Sequence, residues 1–418
     1  MSIRTRDPKS GGMHLAPLLA ALSAVGPLSV DTYLPSMTEI GRALNASPVT
    51  VQQTLTAYML PFAVMTLWHG AISDSLGRRR VILWGTGLYV LASLGCVFVR
   101  SIEMLMVFRA LQGMTAGAGM VVGRAVVRDL HDGPEAQRLM SQVTLVFALA
   151  PAIAPILGGW LQVSLGWRSV FVFLLLFGSL AWLLCRVYLP ETLAPEKRQA
   201  LHAGYLARSY TEVLTRPAFV AACVAMTLNF AGIFFYIVSA PVYVMQHLHL
   251  PATQFAWLFG PITLGMAAGA WASSRSAGRV SAGTLIRTGY AVMVAMTLVN
   301  LLLSRWTKPG IPWSVAPLLV YSFGMSLIFP TLTISALDLF PTQRGLAASC
   351  QSFVQTAGAA LIAMIAPAVW DSVGALSYAQ LACIATGGSC CALHFALRNK
   401  GGSEDPGRPL AQPAAASE

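Results

Sequence analysis

Acidic residues are scarce: Asp and Glu number 16 among 418 residues, and charged residues of both signs make up only 10% of the chain. A soluble domain carries roughly 25%, so a water-exposed globule is excluded for want of charge to solvate its surface. Patterned cysteine is missing too. The seven cysteines are odd in number and lie inside apolar runs, with neither metal-ligand spacing nor paired loop positions, which leaves them as packing residues. There is no glycine-rich phosphate loop, no soluble stretch large enough for a nucleotide-binding domain, and no Ser–His–Asp set in ordered loops. No enzyme activity, cofactor or metal is therefore expected. A cleaved leader is not expected either, because the first apolar run continues through Asp31 and Pro35 without a small-residue cleavage site.

Apolar sequence fills the chain instead: 56% is hydrophobic and the mean hydropathy is +0.65. A helix needs about 20 apolar residues to cross about 30 Å of hydrocarbon. Twelve runs meet that length, near 13–37, 50–73, 81–99, 104–127, 138–163, 169–189, 217–245, 252–274, 282–304, 313–336, 345–369 and 374–397. They are numbered spans 1 to 12. An even number puts both termini on one side. With that side cytoplasmic, the outer loops hold only Arg42, Arg100, Arg168, Arg305 and Lys308, and Arg109 lies inside a span. All other Lys and Arg residues fall on inner segments or adjoining span ends, as the positive-inside rule requires. The net charge of +11 thus marks topology, and no nucleic-acid partner is expected.

The longest inner connection, Pro190 to Arg216, divides the chain. The expected parts are an N-terminal six-helix bundle (1–189), a cytoplasmic linker (190–216), a C-terminal six-helix bundle (217–397) and a disordered cytoplasmic tail (398–418) rich in Gly, Pro, Ser and Ala. Within the linker, Arg208, Glu212 and Arg216 at four-residue spacing predict a short amphipathic helix on the membrane surface.

Between spans 2 and 3 stands Gly70-Ala-Ile-Ser-Asp74-Ser-Leu-Gly77-Arg78-Arg79-Arg80, an acid at a helix end followed by three cations in a tight turn. Gly70 permits close helix approach, Gly77 permits a positive φ, and Asp74 can pair with Arg78 or cap the next helix. The cluster serves either as a latch or only to fix topology. The string resembles the G-x-x-x-D-x-x-G-R-[RK] signature of the major facilitator superfamily. In span 4, Arg109-Ala-Leu-Gln112-Gly113 is similar to the superfamily's intramembrane Arg-x-x-Gln-Gly pattern. In span 5, Ala148 to Gly159 resembles the motif of its drug:proton antiporters, with Ala154-Pro155 in place of the usual Gly-Pro pair. Pro190-Glu191-Thr192 fits the same branch. Asp31-Thr32-Tyr33-Leu34-Pro35 in span 1, with Val127-Arg128-Asp129-Leu130 closing span 4, looks like the bicyclomycin/chloramphenicol-resistance (Bcr/CflA) group. The likeness covers roughly the first 195 residues, whereas Gly269 to Arg279 is a decayed copy of the loop signature.

Asp31 is the only acid well inside a span, and a central charge costs about 2.5–3.5 kcal/mol on insertion scales. It either caps a helix near the outer face or carries a proton, and the resemblance implies the carrier. Arg109 cannot practically lose its proton; it supplies a fixed positive field for coupling or binds Gln and backbone oxygens. Pro151, Pro155, Gly158 and Gly159 share one face of span 5, and the small residues Gly265, Ala268, Gly269 and Ala272 of span 8 are its expected partner in a gating contact. Tyr33, Gln112, Asn229, Phe234, Tyr236, Tyr321, Gln351 and Gln355 are candidates for a substrate cavity, with ordinary packing as the alternative for the aromatic ones.

The expected fold is an all-α membrane protein, twelve transmembrane helices in two six-helix bundles (the major facilitator fold). The resemblance implies a proton-coupled antiporter. It would export small amphipathic drugs, such as amphenicol- or bicyclomycin-like antibiotics, across the bacterial inner membrane by alternating access. It would work as a monomer whose partners are protons, lipid and substrate. Export of a nucleoside or amino-acid derivative, and a non-transporting membrane sensor, stand as alternatives.

Overall fold

In hydrocarbon every backbone N–H and C=O must be satisfied within the chain, so apolar runs of this length have to become helices. A computed structural model describes residues 12–131, 133–198, 201, 203–276, 278–341 and 343–401. Among them all regular structure is helical, without a strand. Spans 1 to 6 are Gly12–Asp31, Pro48–Leu76, Arg78–Val97, Ile102–Leu130, Gly133–Leu165 and Arg168–Tyr188. Spans 7 to 12 are Pro217–Val238, Ala256–Ser276, Ala282–Trp306, Ala316–Leu337, Arg344–Ile365 and Val373–Gly401. Eleven described segments are long and apolar enough to cross a membrane, and span 5 contributes the shorter apolar helix Leu149–Leu165.

Local chemistry sets the ends. Ser47 accepts the Thr50 N–H at 3.1 Å with Pro48 at the first helical position, and Ser101 and Ser281 cap spans 4 and 9 in the same way. The regular α-helix of span 1 ends at Asp31, because Pro35 has no N–H to donate to the Asp31 carbonyl, while the apolar helical span itself runs on to Ala43. A 3-10 turn, Leu34–Ser36, and a short helix, Met37–Ala43, follow. Gly77 alone makes the turn after span 2, at φ +97°, so the three arginines begin span 3 and do not form the turn expected for them. Span 12 runs to Gly401, past the expected boundary at 397; the tail beyond it, like residues 1–11, lies outside the described residues.

The two halves pack alike. Span 1 contacts 4, 5 and 6; span 2 contacts 4; span 3 contacts 4 and 6. Spans 7, 8 and 9 repeat these pairings with 10, 11 and 12, as an internal repeat would. The closest approaches rest on glycine. A Cβ on Gly113 of span 4 would collide with the Tyr58 carbonyl of span 2, and Cβ atoms on Gly265 and Gly269 of span 8 with the Leu319 and Phe323 carbonyls of span 10. The small face of span 8 is therefore used within its own half. Span 5 packs on span 8 as expected, but these two glycines pack on span 10, because the 8/10 pair is the counterpart of the close 2/4 pair.

Between the halves, span 2 packs on span 11 and span 5 on span 8. The side bearing Asp74 and Arg78 is called here the loop face, and the opposite side the far face. At the far face Gln52 and Gln53 donate to the carbonyls of Ala363 and Met364 at 3.1 and 3.3 Å, which closes spans 2 and 11 together. At the loop face the linker helix Ala203–Leu214 forms, yet its apolar face docks on protein: Val213 is buried, and the Tyr210 hydroxyl donates to the Leu67 carbonyl at 2.7 Å. Only its Arg208 and Glu212 side faces outward.

Gly113→Val is expected to lower the melting temperature of the purified protein, since overpacking costs about 1–3 kcal/mol. Gly204→Ala, where an added Cβ meets nothing within 4 Å, is expected to leave it unchanged. Equal melting of both variants would remove the 2/4 approach from the stability of the N-terminal half.

Candidate functional site

Arg109 is fully buried inside the N-terminal bundle. One of its nitrogens, Nη1, donates to the Ser29 carbonyl of span 1 and to Gln112 Oε1 one turn along span 4, both at 3.0 Å. Its Nε and Nη2 have no oxygen partner. The guanidinium instead lies between two aromatic rings, 4.6 Å from the Tyr33 centroid and 4.4 Å from that of Tyr58, and cation–π attraction strengthens when the pair is desolvated. Gln112 passes the network to span 3 by donating to Ser93 Oγ at 2.8 Å, and Ser29 Oγ meets the Tyr89 hydroxyl at 2.6 Å. The Arg-x-x-Gln-Gly spacing now has a physical reading. Arg109 supplies the charge and Gln112 orients it. Gly113 admits the Tyr58 backbone so that span 2 can cover the charge.

Asp31, two residues beyond Ser29, is 6% exposed and makes no hydrogen bond or ion pair among the described residues. Two residues are about 200° around a helix, so Arg109 grips one side of span 1 while Asp31 occupies the other. The two expected coupling residues thus bear on the same end of span 1, Arg109 from span 4, without a bond between them. Arg109 takes the second of its two expected roles, binding Gln and a backbone oxygen. Asp31 has no cation to hold it in one protonation state.

The span 5 motif reaches the same place. A Cβ on Gly158 would collide with the Thr32 carbonyl, next to Asp31, and a Cβ on its neighbour Gly159 with the Ala252 carbonyl of the other half. Pro155 is buried on the same side, and Pro151 is partly exposed. One glycine pair therefore touches the chain beside Asp31 and the opposite bundle in successive residues.

At the loop face, Arg78 Nη1 pairs with Asp74 at 2.5 Å and bonds Ser73 Oγ at 2.6 Å, while Nε reaches Asp129 at 3.1 Å. Glu191 caps span 3 by accepting the Arg78 N–H at 2.9 Å, and Arg79 donates to the Leu189 and Arg186 carbonyls. Asp74 therefore pairs with Arg78, and the cap belongs to Glu191. Gly70, expected to permit close approach, has room: a Cβ there would meet nothing nearer than Val121 at 4.0 Å.

The expected cavity residues do not share one surface. Tyr33 and Gln112 belong to the Arg109 network. Tyr236 is buried between Asn300 and Ser377, and Tyr321 donates to the Asn229 carbonyl at 2.7 Å, both inside the C-terminal bundle. Asn229 donates to Tyr290, and Phe234 stacks on Phe230 at 5.1 Å. Gln351 and Gln355 come together around Met226 Sδ, at 3.7 and 3.9 Å. Sequence reading missed Tyr58, Ser29 and Ser93, because each lies on a different span and no spacing links them. It quoted Asp129 and Glu191 without pairing them with Arg78.

A model of the Major Facilitator Superfamily matches residues 19–388. The chain is 30% identical to a bicyclomycin resistance protein homolog of Haemophilus influenzae, over 88% of this chain and 92% of that one. It is 29% identical to multidrug resistance protein D of Escherichia coli (84% and 88% covered) and 29% identical to a chloramphenicol resistance protein of Pseudomonas aeruginosa (74% and 73%). Among solved structures it resembles a bacterial homolog of the human lysosomal transporter Spinster in its inward-facing, occupied conformation. There the TM-score is 0.71 at 12% identity, with 94% and 98% of the two chains covered.

Arg109→Lys keeps the charge but loses the planar fork and its stacking. Loss of hydrogen bonds to a charged group should cost about 1.5–3 kcal/mol, read as a lower melting temperature; wild-type melting would contradict the clamp. Gly159→Leu is expected to hold the far face apart. An impermeant thiol reagent should then label a Gln53→Cys reporter faster from that side, and unchanged labelling would exclude Gly159 from the contact between halves.

Proposed function

The chain belongs to the Major Facilitator Superfamily, and on that premise we propose that it exports small amphipathic drugs, amphenicol- or bicyclomycin-like antibiotics among them, in exchange for protons. It is a multi-pass membrane protein; the reading adds the bacterial inner membrane, with the loop face and both termini in the cytoplasm and halves divided at 190–216. The single observation that carries it is Asp31: a buried carboxyl with no ion-pair partner among the described residues, attached to the segment that touches the opposite half through Gly158 and Gly159. Such a group can change charge without first breaking a salt bridge, and the change occurs where the halves meet.

On this reading drug and proton exchange at Asp31. With the far face closed, drug enters from the loop face, and its binding releases the Asp31 proton to the cytoplasm. The halves rock about the 2/11 and 5/8 contacts, the far face opens and the drug leaves. Asp31 takes a proton from outside, its charge is cancelled, and the halves return. Drug moves out and one proton moves in per cycle. Arg109 stays charged throughout and keeps span 1 in register.

Expression in an exporter-deficient bacterium, challenged with chemically diverse antibiotics, tests the reading. Wild type is expected to raise resistance to chloramphenicol or bicyclomycin, and Asp31→Asn, present in equal amount and equally stable, to lose that resistance. Wild-type resistance from Asp31→Asn would dismiss Asp31 as carrier. No resistance to any compound, in cells containing the folded protein, would dismiss drug export.

A further inference from the structure

One cavity lies away from the Asp31 site. It occupies the far face between the halves as a half-open cleft of about 460 Å³, and is lined by Thr38, Arg42 and Gln52 from the N-terminal half and by Val242, Gln246 and Trp370 from the C-terminal half, among others. That volume suits a small organic molecule, since ligand pockets span about 300–1,000 Å³. Its chemistry is selective. Arg42 is the only charged lining residue, it is exposed, and it makes no hydrogen bond or ion pair among the described residues. Glu39 on the same short helix is instead held by Gln162 at 2.9 Å, and Asp371, beside Trp370, is not part of the lining. Gln52 is fully buried. Its Nε2 is spent on the Ala363 carbonyl and its Oε1 is sealed from the cavity, so Gln52 offers a ligand no polar atom. Val51, Val242 and the Trp370 ring supply apolar wall, and the Trp370 indole N–H is already committed to Ser239 at 2.8 Å.

We propose that this cavity binds a small water-borne amphipathic anion, and that occupation holds the far face closed. The anionic group meets Arg42, and the apolar body lies along Val242 and Trp370. Both halves build the walls, so the site exists only while spans 2 and 11 are joined. A ligand that binds one state alone shifts the equilibrium toward it. Such an anion would slow the transport cycle from outside, without entering the Asp31 site, and its binding is independent of what the protein exports.

N-octanoylglycine offers a carboxylate, an amide N–H and an alkyl chain, and serves as the probe with purified protein in phosphatidylcholine nanodiscs. Saturable binding is expected, weakened about fivefold by Arg42→Ala, restored by Arg42→Lys, and similarly weak for the uncharged N-octanoylglycinamide, as suits one exposed ion pair. The probe should also slow labelling of an Ala363→Cys reporter by an impermeant thiol reagent at the far face, with the unsubstituted chain as blank. Binding indifferent to Arg42→Ala, or binding that leaves Ala363→Cys labelling unchanged, would overturn the proposal. Nanodiscs containing phosphatidylglycerol separate the sources of the anion: retained binding supports a water-borne ligand, and loss would assign the site to lipid headgroups.

Discussion

A guanidinium that cannot shed its charge is buried completely in the N-terminal bundle, and the arrangement of spans 1 to 4 follows from satisfying it. Burying an unpaired ion is prohibitive, so Arg109 must find compensation from every neighbour: a carbonyl from span 1, Gln112 on its own span, and ring faces from Tyr33 and Tyr58. None of these is an acid. The charge is solvated by dipoles and aromatic faces instead of being neutralised, and Asp31, two residues from Ser29, is left without an ion-pair partner among the described residues.

That separation matters because the span 5 glycines tie Asp31 to the rest of the molecule. Gly158 lies on the Thr32 backbone and Gly159 on Ala252 of the other half, where any side chain would collide. A shift of one half against the other is thus felt one residue from the carboxyl. The loop-face cluster around Arg78 joins spans 2, 3 and 4 with the segment after span 6, so the N-terminal half has the bracing to move as a unit.

The fold was legible in hydropathy because the bilayer leaves helices as the only use for twelve apolar runs. Its details were less so. Pro35 broke the α-helix of span 1 after Asp31, and the linker helix, expected on the membrane, found its apolar partner on spans 2 and 11. Arg109 and Gln112 could be named from spacing, but Tyr58 and Ser93 could not, since they are brought in from other spans by tertiary packing. The small residues of span 8 misled for a related reason: a small face reports that something comes close, not which helix it is. The polar residues of spans 7 and 10 were read as cavity lining, whereas most satisfy one another inside the C-terminal bundle.

Proton release on drug binding tests the carrier most directly. Purified protein in weakly buffered solution, mixed with chloramphenicol, should release about one proton per drug bound, and Asp31→Asn should bind the drug and release none. Equal release from wild type and Asp31→Asn would contradict the assignment and place the exchanging proton elsewhere.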